Sequence, residues 1–341
     1  MCNMAAYAGN RPAAPILFRM IQQQEALGGG HYTGIATVSD GVIHLRKVIG
    51  PASELLRRYP DVLSLPGTVG IAHSRTPGFD SDAWAQPFLS HDEQVIYCAN
   101  GIHGIFQSND YKSAYLKDKA DGIVYRTAVR QESSSYPVMD DGFCVHSSEV
   151  MANLIRRLYL SDAPFRQTLA DAIAVLPSEV AALALSVREP ACVTAIRVNQ
   201  PLMWGRDSSG FYLATAAVAL EDAGISWINP VPTASAMTMS KENIVFQAMD
   251  GFADKLTPCN PQGRIVQALD TLLDSGRDFC VNDLCEEAVK CWKPDRLATA
   301  NIAVYEYLRD KMHEQALECF TIQTPGSRPG VTAPQCRFRR R

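Results

Sequence analysis

The chain opens Met1-Cys2-Asn3-Met4-Ala5-Ala6-Tyr7-Ala8-Gly9. Its apolar run from Met4 to Ala8, stopped by Gly9, reads as a buried strand. The small side chain of Cys2 permits removal of the initiator methionine, so Cys2 is expected to become the first residue. Thiol and free α-amine then belong to one residue. An α-amine titrates near ~8 and a thiol near ~8.5, so the amine can accept the thiol proton directly or through water. Nucleophile and base come together without a histidine.

Outward from this strand, sheet and helix signals alternate. Ile16 to Leu27 has helical spacing and stops at Gly28-Gly29-Gly30. Strands are expected at Thr33 to Val38, Val42 to Val48 and Thr68 to His73, with Asp40-Gly41 as a hairpin turn between the first two. A second strand pair is expected at Gln94 to Ala99 and Ile102 to Phe106. A helix from Ser148 to Leu160 starts at His146-Ser147-Ser148, which offers serine caps. Leu169 to Leu176 reads as helix, and Val180 to Val187, Cys192 to Val198 and Gly210 to Ala214 as strands. Asp254 to Gly263 has the Pro and Gly content of a linker. Helices follow at Arg264 to Ser275, Val281 to Trp292 and Asp295 to Gln315, then a hairpin within Cys319 to Phe338. Three helices and a hairpin is also the order of a winged helix.

Composition narrows the class. With 341 residues, 47% apolar and 20% charged, the chain can bury large cores and divide into two domains. A net charge of -4 demands neither nucleic acid nor an anionic membrane. The basic end from Arg328 to Arg341 reads as a solvated tail, with an acidic partner as the lesser alternative. No stretch has the ~18 apolar residues of a membrane helix, and no signal peptide is expected. Ten cysteines without an export signal point to free thiols and a cytoplasmic location. Cys280, Cys285 and Cys291 lack zinc spacing and read as small core residues, so no metal or cofactor is expected.

Two further segments carry chemistry. Asn100-Gly101 follows the strand Val95 to Cys98; an asparagine amide and a glycine N–H at a strand end can both point at one developing oxyanion, although the dipeptide is also a common hairpin turn. Arg75, next to Thr76 at the end of Gly70 to Ser74, is suited to a bidentate grip on a carboxylate. His73 reads as a core histidine that satisfies a hydrogen bond rather than as a base.

In combination these segments resemble the class II glutamine amidotransferases, whose glutaminase domain is an Ntn hydrolase. The opening nonapeptide looks like that family's M-C-G-I-x-G-Y-x-G start, Thr33 to Ala36 like its S-A-G-I-A strand, and Gly70 to Arg75 like G-I-x-H-x-R. Ala85-Gln86-Pro87-Phe88 matches A-Q-P-F, Ala99 to Ile102 matches H-N-G-x, and Ser148-Glu149-Val150 sits where S-D-T-E-V stands. Arg197, Pro201, Leu202 and Gly205 match R-x-x-x-P-L-x-x-G. The chain is similar to the N-terminal glutaminase domains of glutamine–fructose-6-phosphate and glutamine phosphoribosylpyrophosphate amidotransferases.

The resemblance spans about the first 220 residues and implies a four-layer αββα sandwich, placed over 1–250; composition and element order add a linker over 251–263 and a small helical, winged-helix-like domain over 264–341, so the expected fold is α+β. It implies that Cys2 attacks the side-chain amide of glutamine or a related small amide, that Asn100 and Gly101 hold the oxyanion, and that Arg75 and Thr76 bind the substrate. A γ-glutamyl thioester and free ammonia follow. No acceptor segment is recognisable, so an ammonia-accepting synthase would be a separate chain; a homo-oligomer is expected. Several positions depart from the pattern. Asn3 replaces a glycine, Arg75-Thr76-Pro77-Gly78 is shortened, and Gly28 to Tyr32 replaces R-G-x-D-S/A. Ser147 stands where an aspartate pairs with the glutamine α-ammonium, so either Asp140 or Asp141 compensates or free glutamine is not the substrate. The second reading is a regulatory protein that senses an amide or amino acid and contacts DNA or protein through its C-terminal module, with Arg296, Arg309 and Lys311 on its recognition helix. A third, an Ntn acylase, accounts for Cys2 but less well for Arg75 and Asn100-Gly101.

Overall fold

The computed structural model describes residues 2–103, 108–130, 136, 138–159, 162–249, 262–291 and 297–341. Strand β1 (Asn3–Gly9) is buried along its whole length and leads into helix α1 (Ala13–Gln24) and a 3-10 turn at Glu25–Leu27. The hairpin of β2 (Tyr32–Ser39) and β3 (Val42–Ile49) turns on Asp40 and Gly41, both at positive φ, as the Asp-Gly signal requires. After α2 (Ala52–Arg58) comes β4 (Val69–Arg75), which ends two residues beyond the expected His73 because Ser74 and Arg75 continue the pairing. Next are the short β5 (Phe88–Leu89), β6 (Val95–His103) and α3 (Ser108–Ala120).

A two-residue ladder, β7 (Val129–Arg130) with β8 (Phe143–Cys144), precedes α4 (Ser147–Leu158), α5 (Phe165–Val175), β9 (Ser178–Ser186) and β10 (Val193–Arg197). The sandwich is completed by β11 (Met203–Asp207), β12 (Gly210–Ala214), α6 (Ala217–Asp222), β13 (Ile228–Pro230), β14 (Ser235–Met239) and β15 (Ile244–Ala248). Beyond it lie α7 (Gln262–Asp274), α8 (Val281–Lys290) and α9 (Leu297–His313), then the hairpin of β16 (Leu317–Pro325) and β17 (Thr332–Arg340).

The described residues form two large sheets, in the orders β13-β11-β12-β1-β4-β2-β3 and β15-β14-β10-β9-β6-β5. Alternation sorts the side chains. Met4, Ala6 and Ala8 of β1 join Ile71 and Leu213 against Ile96, Cys98, Leu183 and Ala195 of the second sheet, while Ala5 and Tyr7 face α1. On the far side, Tyr97, Ala99, Val180 and Ala182 pack on Val150, Leu154 and Leu169 of α4 and α5. The layer order is thus helices, sheet, sheet, helices, and β1 lies inside its sheet, between β12 and β4.

Three expectations are corrected. Asn100-Gly101 is not a turn: β6 runs unbroken from Val95 to His103, pairing with β9 in the register Asn100↔Ala181 and Gly101↔Val180. No serine caps α4; the His146 imidazole accepts from the Ser148 N–H. Nor is the basic end of the chain a free tail. It is strand β17, with Arg339 on Asp278, Arg340 on Asp274 and Arg337 near Asp283. Residues 251–261 of the expected linker lie outside the described residues, and Gln262 and Gly263 already belong to α7. Leu160, Phe106, Trp292, Asp295 and Arg296 also lie outside them. No helix among the described residues is long and apolar enough to cross a membrane, and no three His, Cys, Asp or Glu side chains gather as a metal site.

One buried acid makes the fold sensitive to pH. Glu25 is 6% exposed and accepts the Ala52 N–H, capping α2, which has no side-chain cap of its own. Burial pushes its carboxyl up to about 7, against the opposing Ala52 hydrogen bond. A folded-state value above the unfolded one means that the folded chain binds the proton more tightly. Stability therefore falls as pH rises from about 4.5 towards about 7. Glu25→Gln keeps an oxygen for Ala52 and should remove this slope. Urea unfolding is expected to show the variant on the order of 1–3 kcal/mol more stable than the parent at pH 8, with the gap closing near pH 4.5.

Candidate active site

The site is built where β1 begins. Because β1 pairs with β4 in the register Asn3↔Ser74 and Met4↔His73, Cys2 lies opposite Arg75. The Cys2 Sγ is 3.8 Å from the Thr76 hydroxyl, and the Cys2 backbone N donates to Asn100 Oδ1 at 3.2 Å. Three segments far apart in sequence, 2–3, 75–76 and 100–101, thus meet at one point. Burial pushes the Cys2 thiol up, but the nearby His73, the amino terminus and Arg75 outweigh it and bring the thiol down to about 6. Thiolate then predominates at neutral pH. Alkylation of Cys2 by iodoacetamide is accordingly expected to rise through a midpoint near pH 6 rather than near the ~8.5 of an ordinary thiol; peptide mapping after timed exposure measures it.

Asn100 is 2% exposed, and its Nδ2 has no hydrogen-bond partner among the described residues. A buried amide N–H without an acceptor costs about 1–3 kcal/mol, so its place beside a nucleophile calls for a ligand. Gly101 has φ +122°, and a Cβ there would stand 2.0 Å from the Glu179 carbonyl oxygen. This position of β6 therefore admits glycine alone. Ala99 is clamped by Gln86, whose amide donates to its carbonyl at 3.0 Å and accepts its N–H at 2.9 Å. Gln86 thereby sets the strand that carries Asn100. The A-Q-P-F resemblance contained this residue, but its role depends on a contact across the fold.

Arg75 is 4% exposed and packs against the rings of Tyr32, Trp84 and Tyr136. Its Nη2 donates to the Tyr136 hydroxyl at 3.0 Å, and its buried Nη1 has no partner among the described residues. A Cβ on Gly78 would come within 2.1 Å of Nη1, so glycine there leaves room for the fork. A buried guanidinium with an idle N–H is a receptor for an anion. The Tyr136 hydroxyl also meets the His146 Nε2 at 3.1 Å.

The other expected site residues are placed differently. Ser147 is the first residue of α4, directly after the capping His146. Asp141 accepts from the Tyr115 hydroxyl and the Phe143 N–H and lies 4.0 Å from Lys119; Asp140 lies 3.7 Å from Lys112. These contacts hold both aspartates against α3, and none of them joins either residue to Cys2, Asn100 or Arg75. Asn3 is fully buried; its amide donates to the Gln24 carbonyl and its Oδ1 accepts from Tyr305 of α9 at 3.4 Å. The asparagine thus ties α1 and α9 to the strand that carries the nucleophile.

Two stacked sheets between helical layers, with a thiol at the head of an interior strand beside a buried amide donor, give the mixed α/β fold of the Ntn glutamine amidotransferase domains. No family model matches the chain. It is 29% identical over 248 residues to the glutamine–fructose-6-phosphate aminotransferase of Bacteroides thetaiotaomicron, covering 67% of this chain and 36% of that protein. It is 26% identical over 217 residues to the enzyme of the same name from Pyrococcus horikoshii, covering 63% of this chain and 32% of that protein. The fold is similar to that of the glutamine phosphoribosylpyrophosphate amidotransferase of B. subtilis, with a TM-score of 0.56, 15% identity, and coverage of 91% of this chain and 64% of that one. The matched parts are about a third of the curated relatives' length and under two thirds of that structure's. In sequence the chain is similar to part of these aminotransferases, and in fold to the Ntn glutamine amidotransferase domains, at low identity throughout.

Proposed function

We propose that the protein hydrolyses the side-chain amide of glutamine, or of a closely related carboxylate-bearing amide, through a thioester on Cys2. The observation that carries this reading is Asn100: its Oδ1 takes the Cys2 N–H and its buried Nδ2 has no acceptor among the described residues. Attack of the Cys2 thiolate on the amide carbon moves an electron pair onto the amide oxygen, where Asn100 Nδ2 and the Gly101 N–H can receive it. Collapse breaks the C–N bond, and the leaving nitrogen takes up a proton and departs as ammonia. Water then adds to the thioester and frees the carboxylic acid and the thiol. Arg75, with its idle Nη1, is suited to the substrate carboxylate, and Thr76 adjoins the sulfur. Removal of Met1 belongs to this proposal, because it turns the Cys2 N–H into an amine that can relay the proton.

The ammonia acceptor would be a separate protein or domain that aminates its own substrate. The residues from α7 onward serve in this proposal as a cover on the amidotransferase unit rather than as a nucleic-acid reader. Among the described residues, Arg309 of α9 is engaged with Glu221, and Lys311 with Glu314 and Asp270. At the tip of the β16–β17 hairpin, the Ser327 hydroxyl accepts the Gly78 N–H and Arg328 pairs with Asp80. Phosphate contact needs cations free to meet it, and these are spent on acids of the same chain.

The test is direct. Incubation with glutamine should yield equal amounts of ammonia and glutamate, and an electrophilic glutamine analogue should leave its adduct on Cys2, by then the first residue. Retention of Met1, or an analogue that leaves Cys2 unmodified, overturns the reading.

A further inference from the structure

His73 carries a task beyond core packing. It is fully buried on β4, in register with Met4. Its Nε2 lies 3.2 Å from the Ala99 carbonyl oxygen, which can only accept. In the neutral ring the proton must therefore sit on Nε2, which leaves Nδ1 as a bare acceptor. That Nδ1 is buried and has no hydrogen-bond partner among the described residues. Side chains alternate along paired strands, so Cys2, Met4, His73 and Arg75 share the face turned to the second sheet, with His73 diagonal to Cys2. This diagonal makes the Cys2 side chain a neighbour of the ring on the same face of the sheet.

We propose that His73 Nδ1 is the proton acceptor of the Cys2 thiol, with the ring held in the accepting tautomer by the Ala99 carbonyl. The S–H bond breaks, the proton moves to Nδ1, and the pair left behind is thiolate and imidazolium. No electrons are exchanged and no other reactant is needed. The Ala99 carbonyl, which also accepts from Gln86, stabilises the imidazolium through its Nε2–H, so the strand that presents Asn100 also supports the base. The amine of Cys2 is thereby left free to deal with the leaving nitrogen. This assignment rests on Cys2 being the nucleophile and adds a second basic group to it.

The groups that surround the thiol are few. Arg75 on β4 is a permanent cation, and Cys98 on β6 and Tyr305 on α9 are pushed up by burial and stay neutral. His31, in the loop before β2, is held below the usual histidine value by its own burial and then by Arg75 and the amino terminus. Thr76 does not titrate in this range.

The experiment follows the pH profile of Cys2 alkylation by iodoacetamide in the intact protein and in His73→Gln. Glutamine's Nε2 overlays that of histidine, so the hydrogen bond to Ala99 is retained and only the base is lost. We expect the midpoint to rise by about one pH unit or more, so that alkylation at pH 6.5 slows roughly tenfold while full reactivity returns at high pH. An unmoved midpoint overturns the assignment, since a purely structural histidine would not shift it. Should the variant fold poorly, 15N NMR of the histidine rings in the unmodified protein decides instead. Nδ1 of His73 should be unprotonated at high pH and should shift when Cys2 is alkylated; an Nδ1–H tautomer, or no response, overturns the proposal. Neither readout requires glutamine turnover. Failure to make ammonia alongside a shifted midpoint would sink the glutaminase reading and leave His73 as the base, whereas turnover with an unmoved midpoint would do the reverse.

Discussion

Cys2→Ala is expected to abolish ammonia release from glutamine, with a loss on the order of 10⁴-fold or more, while leaving the fold intact. The alanine keeps the backbone N–H that donates to Asn100 Oδ1 and removes only the sulfur, which lies beside Thr76 at a half-buried position. No second thiol can substitute. Cys98, facing the inter-sheet core from β6, is fully buried, and its thiol is pushed far up by that burial. The expected pattern is therefore loss of turnover without loss of glutamine binding, because Arg75 is untouched. Isotope-detected ammonia production together with an equilibrium binding measurement separates the two. Residual turnover within tenfold of the parent would exclude Cys2 as the nucleophile.

Asn100→Asp is expected to have the next largest effect, about 10²- to 10³-fold in kcat with little change in KM. The substitution is nearly isosteric and keeps an oxygen for the Cys2 N–H. It replaces the buried Nδ2 donor with a second acceptor that carries negative charge. Charge that develops on the substrate oxygen would then meet repulsion instead of a hydrogen bond, and the penalty falls in the transition state rather than in the ground state. Steady-state kinetics distinguishes this from a binding defect, which would raise KM at constant kcat. A neutral effect would remove Asn100 from the oxyanion role and leave its idle amide without a function.

Much of this was legible in the chain itself, for reasons that differ by element. β1, β2, β3 and β12 were marked by apolar runs bounded by glycines or a turn dipeptide, and β9 by its apolar run alone; such patterning is local. The C-terminal helices and hairpin were marked in the same way. Asn100-Gly101 was the reverse case. Its local meaning is a turn, and only pairing of Gly101 with Val180 of β9 keeps the strand straight through it. Asp141 looked like a substitute for a missing carboxylate because it lies six residues before Ser147. In the fold its side chain is taken up by Tyr115 of α3, a partner that the intervening sequence does not reveal.

The sequence alone determined the residue types of the chemistry: a thiol at position two, an arginine after a buried strand, an amide donor beside a glycine, and the alternation that buries one face of each strand on another sheet. These are properties of composition and short-range order, which a linear reading preserves. Only tertiary structure decided which groups are idle and therefore available. That Asn100 Nδ2, Arg75 Nη1 and His73 Nδ1 lack partners is a statement about every neighbouring atom in three dimensions. A buried polar group acquires its purpose from what surrounds it, and strands from both sheets, the aromatic box and α9 converge on Cys2 only once the two sheets are stacked.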